Sequence, residues 1–220
     1  MDRLPERINL RDQVYDILKK KIILREIGSG EKINEEELAK AFGVSRTPIR
    51  ETLVRLEHEG IVKIIPRRGA FVVSQSLKKV IDLLQVREVL EGLVVRLATQ
   101  NMKSDILHRI RKCLEEVSSD TLDPNRLMKY TPADVEFHSL LLEACDNELL
   151  ESMMERVNAN LQMVRLRTVA LPGRPEQTVR EHFEIVAAIE RGDAALAETL
   201  MRKHVASVRR DVEKNISLMK

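Results

Sequence analysis

Three histidines and one aspartate carry the densest chemistry in this sequence. Asp134 and His138 lie four residues apart in a stretch of helical periodicity, so they share one face. His182 and His204 flank the helix break at Arg191-Gly192-Asp193, each about ten to eleven residues from it. At 1.5 Å per helical residue both stand about 16 Å from the turn, which puts them level across an antiparallel hairpin. Two helical ligand pairs that face one another inside a bundle are a recurring way to build a metal site. Three imidazoles and a carboxylate suit Zn²⁺, Ni²⁺, Mn²⁺ or Fe²⁺, with zinc the ion expected on the purified protein. Water or an external carboxylate would complete the coordination. Taken alone, an Asp/His pair at this spacing is most often a surface or capping pair; the level hairpin placement joins the two. His58 and His108 have no partners at comparable spacing. His58 reads as a residue near a helix C-terminus and His108 as a solvated or core-edge histidine.

Arginines supply a second set of candidates. Arg87 sits on an otherwise apolar helix, Leu83-Leu84-Gln85-Val86-Arg87-Glu88-Val89-Leu90-Glu91, where it could clamp a carboxylate by a two-point contact. Spacing alone favours a plainer surface ion pair with Glu88 or Glu91. Arg165 and Arg167 are weaker versions of the same idea. In Gly43-Val44-Ser45-Arg46-Thr47-Pro48-Ile49-Arg50, a tight turn leads into a helix whose first turn tolerates Pro48 and whose N-cap is expected at Ser45. Arg46, Thr47 and Arg50 then occupy the helix N-terminus that a helix-turn-helix presents to the DNA major groove. Arginine suits that place because its planar fork can bind guanine O6/N7 or a phosphate at two points.

The elements that must position these groups follow from periodicity and punctuation. Apolar residues at Val14, Ile17, Leu18, Ile22 and Ile23 predict a helix over 11–27, closed by Gly28-Ser29-Gly30. Asn34 and Glu37 have capping-box spacing and open a short helix with Leu38, Ala39 and Phe42 inward, closed by Gly43. The recognition helix is expected from about Ser45 to Glu59, on Ile49, Leu53 and Leu56, with Gly60 as its stop. Ile61–Ile65, turn chemistry at Pro66-Arg67-Arg68-Gly69, and Ala70–Val73 read as a β-hairpin, which completes a winged helix-turn-helix. The arginines at its tip suit a wing on the DNA backbone or minor groove. After the short linker Ser74-Gln75-Ser76, helices are expected at about 77–100, 103–118, 124–145, 147–168, 175–191 and 193–217. The fold class is therefore mainly α, a winged helix-turn-helix over 1–75 and an all-helical antiparallel bundle over 76–220.

Composition bounds the function. Net charge is only +2, but residues 1–75 hold 15 Lys/Arg against 12 Asp/Glu, whereas the remainder holds 22 against 23. The mild asymmetry has the sign expected of an N-terminal DNA-binding part with a localised patch. Two cysteines, Cys113 and Cys145, make no disulfide framework and read as buried free thiols. No secretion signal and no membrane-spanning apolar run is found, so the chain is expected in the cytoplasm and off the membrane.

On these residues the chain resembles the GntR family of bacterial transcription regulators, specifically its FadR subfamily with an all-helical FCD ligand domain, in the six-helix VanR-type branch. The N-terminal likeness rests on Ile33–Ala39, Val44–Glu51, Leu56–Gly60 and Arg67–Val72; the C-terminal one rests on Arg87–Glu91, Asp134–His138, Asp146-Asn147, Glu181-His182 and His204. The resemblance implies a homodimer on a palindromic operator, with Arg46, Thr47, Arg50 and the wing at Arg68 and Gly69 against DNA. It also implies that Asp134, His138, His182 and His204 ligate a metal that helps hold a small organic acid effector, with Arg87 in a pocket-lining segment and operator release as the outcome, hence a repressor. One departure is Glu36, where some relatives carry a DNA-contacting arginine. Two alternatives stand beside this reading: a metal-dependent hydrolase or lyase with an accessory DNA-binding head, and a regulator whose metal is purely structural.

Overall fold

The computed structural model describes residues 10–118 and 126–215. The chain divides into two compact units at Gln75/Ser76. In the first, α1 (Leu10–Ile23), α2 (Glu35–Phe42) and α3 (Arg46–His58) are joined by β1 (Lys32–Ile33), β2 (Val62–Ile65) and β3 (Gly69–Val72). The strands form an antiparallel sheet in the order β1-β3-β2, with Ile65 opposite Gly69 and Ile33 opposite Ala70. The core is apolar: Leu18, Ile22, Ile49, Leu53, Leu56 and Ile61 are each 2% exposed or less. Ala39 is buried on α2, while Leu38 and Phe42 are only half-buried.

Three local expectations needed correction. α1 stops at Ile23 and not at Gly28, because Arg25 takes a left-handed backbone (φ 64°) and the Glu26 N–H turns back to the Lys21 carbonyl at 2.8 Å. Ser45 occupies the N-cap position of α3 without a side-chain capping hydrogen bond. β1 is a strand of two residues that periodicity did not reveal. The helix-turn-helix corner is as expected: the Asn34 side chain accepts from the Glu36 and Glu37 N–H groups, and Gly43 closes α2 at φ 66°.

The second unit comprises α4 (Leu77–Asn101), α5 (Ser104–Ser118), α6 (Arg126–Cys145), α7 (Glu148–Val169), α8 (Arg174–Glu190) and α9 (Ala194–Lys214). The expected start of α6 at 124 lies outside the described residues. Ser76, Asn147 and Asp193 each cap a helix through a side-chain oxygen. α4 packs against α6, α7 and α9, around a core that includes Val94, Val95, Ile110, Phe137, Leu140, Leu141, Ile185 and Met201. Close approach of α4 and α9 needs Gly92, where a Cβ would fall 2.7 Å from Cγ of Arg202. Cys145 is buried and Cys113 half-buried; both are free thiols.

A Cβ at Gly43 would meet nothing within 4 Å, so only the left-handed backbone opposes a side chain there. Gly43→Ala should therefore lower stability by about 1 kcal/mol, the cost of placing an L-residue in that region. Denaturant unfolding of the full chain checks this, and an unchanged midpoint would contradict it.

Candidate metal centre and DNA-contacting surface

Asp134 and His138 project from α6, His182 from α8 and His204 from α9. Their four ligand atoms lie within 4.8 Å of one another. Oδ1 of Asp134 is 3.8 Å from Nε2 of both His138 and His182, and the Nε2 atoms of His182 and His204 are 3.4 Å apart. A tetrahedral ion with bonds near 2.0–2.1 Å needs neighbouring ligand atoms about 3.3 Å apart; the His182–His204 pair already stands at 3.4 Å, whereas the widest-set ligand atoms, up to 4.8 Å apart, must draw in by about 1.5 Å for all four to ligate. The three imidazoles are buried. Phe137 stacks on the His182 ring at 3.9 Å and 14° and fixes its plane.

Two carboxylates outside the cluster decide which ring nitrogens face inward. Nδ1 of His138 lies 2.9 Å from Oε2 of Glu91 on α4, and Nδ1 of His204 lies 2.7 Å from Oε2 of Glu181 on α8. Burial alone would raise both carboxyls, but His138 and Arg87 around Glu91, and His204 and Arg174 around Glu181, hold each at about 2. Both are thus ionised and can only accept, so each Nδ1 donates; in the neutral form that ligates a metal, each Nε2 would then carry its lone pair into the cluster. Burial, reinforced by His204, holds His182 well below the ordinary histidine value. Burial also lowers His204, against the hydrogen bond to Glu181. Neutral imidazole is the ligating form. Burial would raise Asp134, yet His138, Arg165, His182 and Arg87 together hold it below the usual carboxylate range. Nε2 of His138 is buried with no hydrogen-bond partner among the described residues. Such an acceptor costs about 1–3 kcal/mol unless something binds it. The donor set, its inward lone pairs and this orphaned nitrogen fit a divalent cation.

A cavity beside the cluster is lined by Arg87, Asp134, Arg165, Arg174 and His204, with Tyr130, Thr131 and Thr178 among its other walls. About 30 Å³ of it is open to a water-sized sphere, room for about two waters. Arg87 is not the surface residue that spacing favoured: it is 3% exposed and its Nε donates to Glu91, itself fully buried, at 3.1 Å. Arg165 stands 3.6 Å from Oδ2 of Asp134, and burial with Arg87 beside it pushes its guanidinium down to about 10. Arg174, which sequence reasoning missed, ties Glu181, Ser207 and Asp211 together at the start of α8. In the sequence Glu91 reads only as a partner for Arg87, through the four-residue spacing of an acid and a base on an apolar helix. His108 is exposed on α5 and His58 exposed at the end of α3.

In the first unit Arg46, Thr47 and Arg50 are all exposed on α3. An open groove of about 530 Å³ brings Arg46 together with Arg67, Arg68 and Gly69 of the hairpin and with Lys32, Asn34, Glu35 and Glu36; Thr47 and Arg50 lie outside its lining. Gly69 has φ 101°, and a Cβ there would crowd Cε of Lys32 at 3.2 Å. The Arg68 guanidinium lies 6.0 Å from the Phe71 ring centre.

Comparison with known proteins finds a family model for each unit. Residues 10–72 match the model of the bacterial regulatory proteins of the gntR family, and residues 82–207 match the FCD domain. The chain belongs to the GntR family. This GntR regulator is 32% identical over 192 residues to an uncharacterized HTH-type transcriptional regulator, YdhC, of Bacillus subtilis (strain 168), covering 87% of this chain and 86% of that one. It is 27% identical over 203 residues to the HTH-type transcriptional repressor RspR of Escherichia coli (strain K12), covering 92% and 89%. Among solved structures, a putative GntR regulator from Rhodococcus sp. RHA1 shares its fold at a TM-score of 0.63 and 21% identity, covering 93% of this chain and 98% of that one. The GntR membership makes it a DNA-binding transcription regulator and not an enzyme, which removes the hydrolase or lyase alternative. No helix among the described residues is long and apolar enough to cross a membrane.

Glu91 yields a pH-dependent prediction. Its carboxyl falls from 4.5 to about 2 on folding, so its contribution is present above about 4.5 and is lost as pH falls toward 2. Metal-free Glu91→Gln should be less stable than the parent at pH 6, on the order of 3 kcal/mol, because Arg87 is left buried without its counter-charge. The gap should close in acid, where the parent carboxyl protonates. Denaturant titrations at several pH values test this; a gap independent of pH would contradict it.

Proposed function

We propose that this protein is a metal-dependent, metabolite-responsive repressor. The observation that carries the reading is the convergence of three imidazole Nε2 atoms and the Asp134 carboxylate, with the His138 nitrogen orphaned. Asp134, His138, His182 and His204 would hold one divalent ion, with zinc the form expected on purification and Ni²⁺, Mn²⁺ or Fe²⁺ compatible with the same donors. Bound there, the ion supplies a Lewis-acidic centre for an oxyanion. Arg87, Arg165 and Arg174 line the adjoining cavity and favour the same charge. The cavity as it stands admits little more than waters, so a small organic acid enters only as lining side chains move. That coupling between ligand and packing is what a regulator needs, because an effector shifts an equilibrium only by its differential affinity for two arrangements.

In this reading residues 1–75 are the DNA-binding domain and residues 76–220 the effector and metal domain. Arg46, Thr47 and Arg50 approach base edges in the major groove, and Arg68 and Gly69 of the wing approach the backbone or minor groove. Two recognition helices on a palindromic operator require a homodimer. A regulator of chromosomal operators works in the cytoplasm. A purely structural metal is the remaining alternative, and effector dependence separates the two.

Elemental analysis of the purified protein should find close to one divalent metal per chain. His138→Ala combined with His182→Ala should abolish it while leaving a helical, soluble protein. Full occupancy in the double variant would remove the site. Arg50→Ala should weaken operator binding by about 1–3 kcal/mol, measured by fluorescence anisotropy; unchanged affinity would take Arg50 off the contact surface.

A further inference from the structure

The face that carries Arg46 and Arg50 also carries a carboxylate set against both of them. Glu35 is the first residue of α2, directly after the capping Asn34. Its Oε2 accepts a hydrogen bond from Nε of Arg50 at 2.8 Å and lies 3.6 Å from Nη2 of Arg46. The side chain of Glu35 is 24% exposed, against 54% for Arg46 and 63% for Arg50. The acid is thus sheltered beneath two arginines that face solvent. The contact to Arg50 uses Nε and leaves the Nη pair out of it. That pair is what a two-point contact to guanine O6/N7 uses.

We propose that Glu35 is a specificity-determining positioning residue for operator recognition: it holds Arg46 and Arg50 in the orientation that reads bases and keeps them from closing on the nearest phosphate. The proposal rests on the reading of Arg46 and Arg50 as DNA contacts. Its physical basis is a conflict of charges. A carboxylate on a surface that meets a polyanion opposes binding to DNA of any sequence. Exposed ion pairs of this kind also add little to folding stability. What the pair does supply is restraint on two long, flexible cations, together with a repulsive element against unspecific contact, a recurring way to obtain discrimination. The plainer role for Glu35, an acid at a helix N-terminus, is already filled by Glu36 and Glu37 in the same first turn.

The test uses the full-length protein with two duplexes: one that the protein itself selects from a randomised library, and one of scrambled sequence. Anisotropy titrations over a range of salt compare the parent, Glu35→Gln, Glu35→Asp and Arg50→Ala. Aspartate keeps the charge at the helix end but is one methylene too short to keep the contact. Both Glu35 variants should bind the scrambled duplex more tightly. In Glu35→Gln the log–log salt slope should steepen by about 1, the signature of one added phosphate contact. The ratio of selected to scrambled affinity should fall by about tenfold or more, the order of losing one base contact. An unchanged ratio and slope in both variants would overturn the proposal. So would normal discrimination in Glu35→Asp, which would reduce Glu35 to a helix-end charge, and so would a loss confined to one base pair, which would make Glu35 a direct reader. Arg50→Ala separates the two layers: if it binds the selected duplex like the parent, the contact assignment itself fails; if it loses binding while the Glu35 variants discriminate normally, only the role of Glu35 fails.

Discussion

Two carboxylate–imidazole hydrogen bonds, one buried and one partly buried, hold the C-terminal unit to its chemistry. Glu91 to His138 and Glu181 to His204 each fix a ring by its Nδ1, so that Nε2 of His138 is turned toward Asp134 and Nε2 of His204 toward His182. Each carboxylate is itself held by a buried arginine, Arg87 or Arg174. The chain of pairs therefore runs from α4 and from the start of α8 into the cluster. It is a costly arrangement in an apolar bundle, since an isolated buried charge is strongly unfavourable. It is tolerable here because the charges alternate. The same alternation leaves the cluster rich in lone pairs and lacking a positive centre, which is the electrostatic shape of a cation site.

The N-terminal unit solves a different problem. Its small core of aliphatic side chains presents α3 and the hairpin with their polar ends outward. Gly43 and Gly69 occupy backbone conformations that L-residues rarely adopt, and each lies where a turn must be tight: one between α2 and α3, the other where β3 leaves the wing. Exposed arginines alone would bind any polyanion; Glu35, placed against two of them, makes the surface more than a basic patch.

Much of this was legible in the sequence, and the reasons differ by element. The spacing of Asp134 and His138, and the level placement of His182 and His204 about a hairpin, translate directly into geometry because helical rise is constant. The hairpin at Pro66–Gly69 and the helix ends at Asn34, Gly43 and Asp193 followed from local backbone chemistry. What sequence missed depends on tertiary packing. Arg87 and Glu91 look like a surface pair until α6, α7 and α9 cover that face of α4. Arg174 acquires meaning only through Ser207 and Asp211, more than thirty residues away. The early end of α1 at Arg25 escaped because a non-glycine residue takes the left-handed turn, and β1 escaped because two residues have no period.

The central claim is that Asp134, His138, His182 and His204 form one metal centre. X-ray absorption at the metal edge of the purified, metal-loaded protein tests it most directly. The account predicts a shell of three imidazole nitrogens plus oxygen, with nitrogen bonds near 2.0–2.1 Å if the ion is zinc. A sulfur shell from Cys113 or Cys145, or an oxygen-only shell without imidazole scattering, would contradict it.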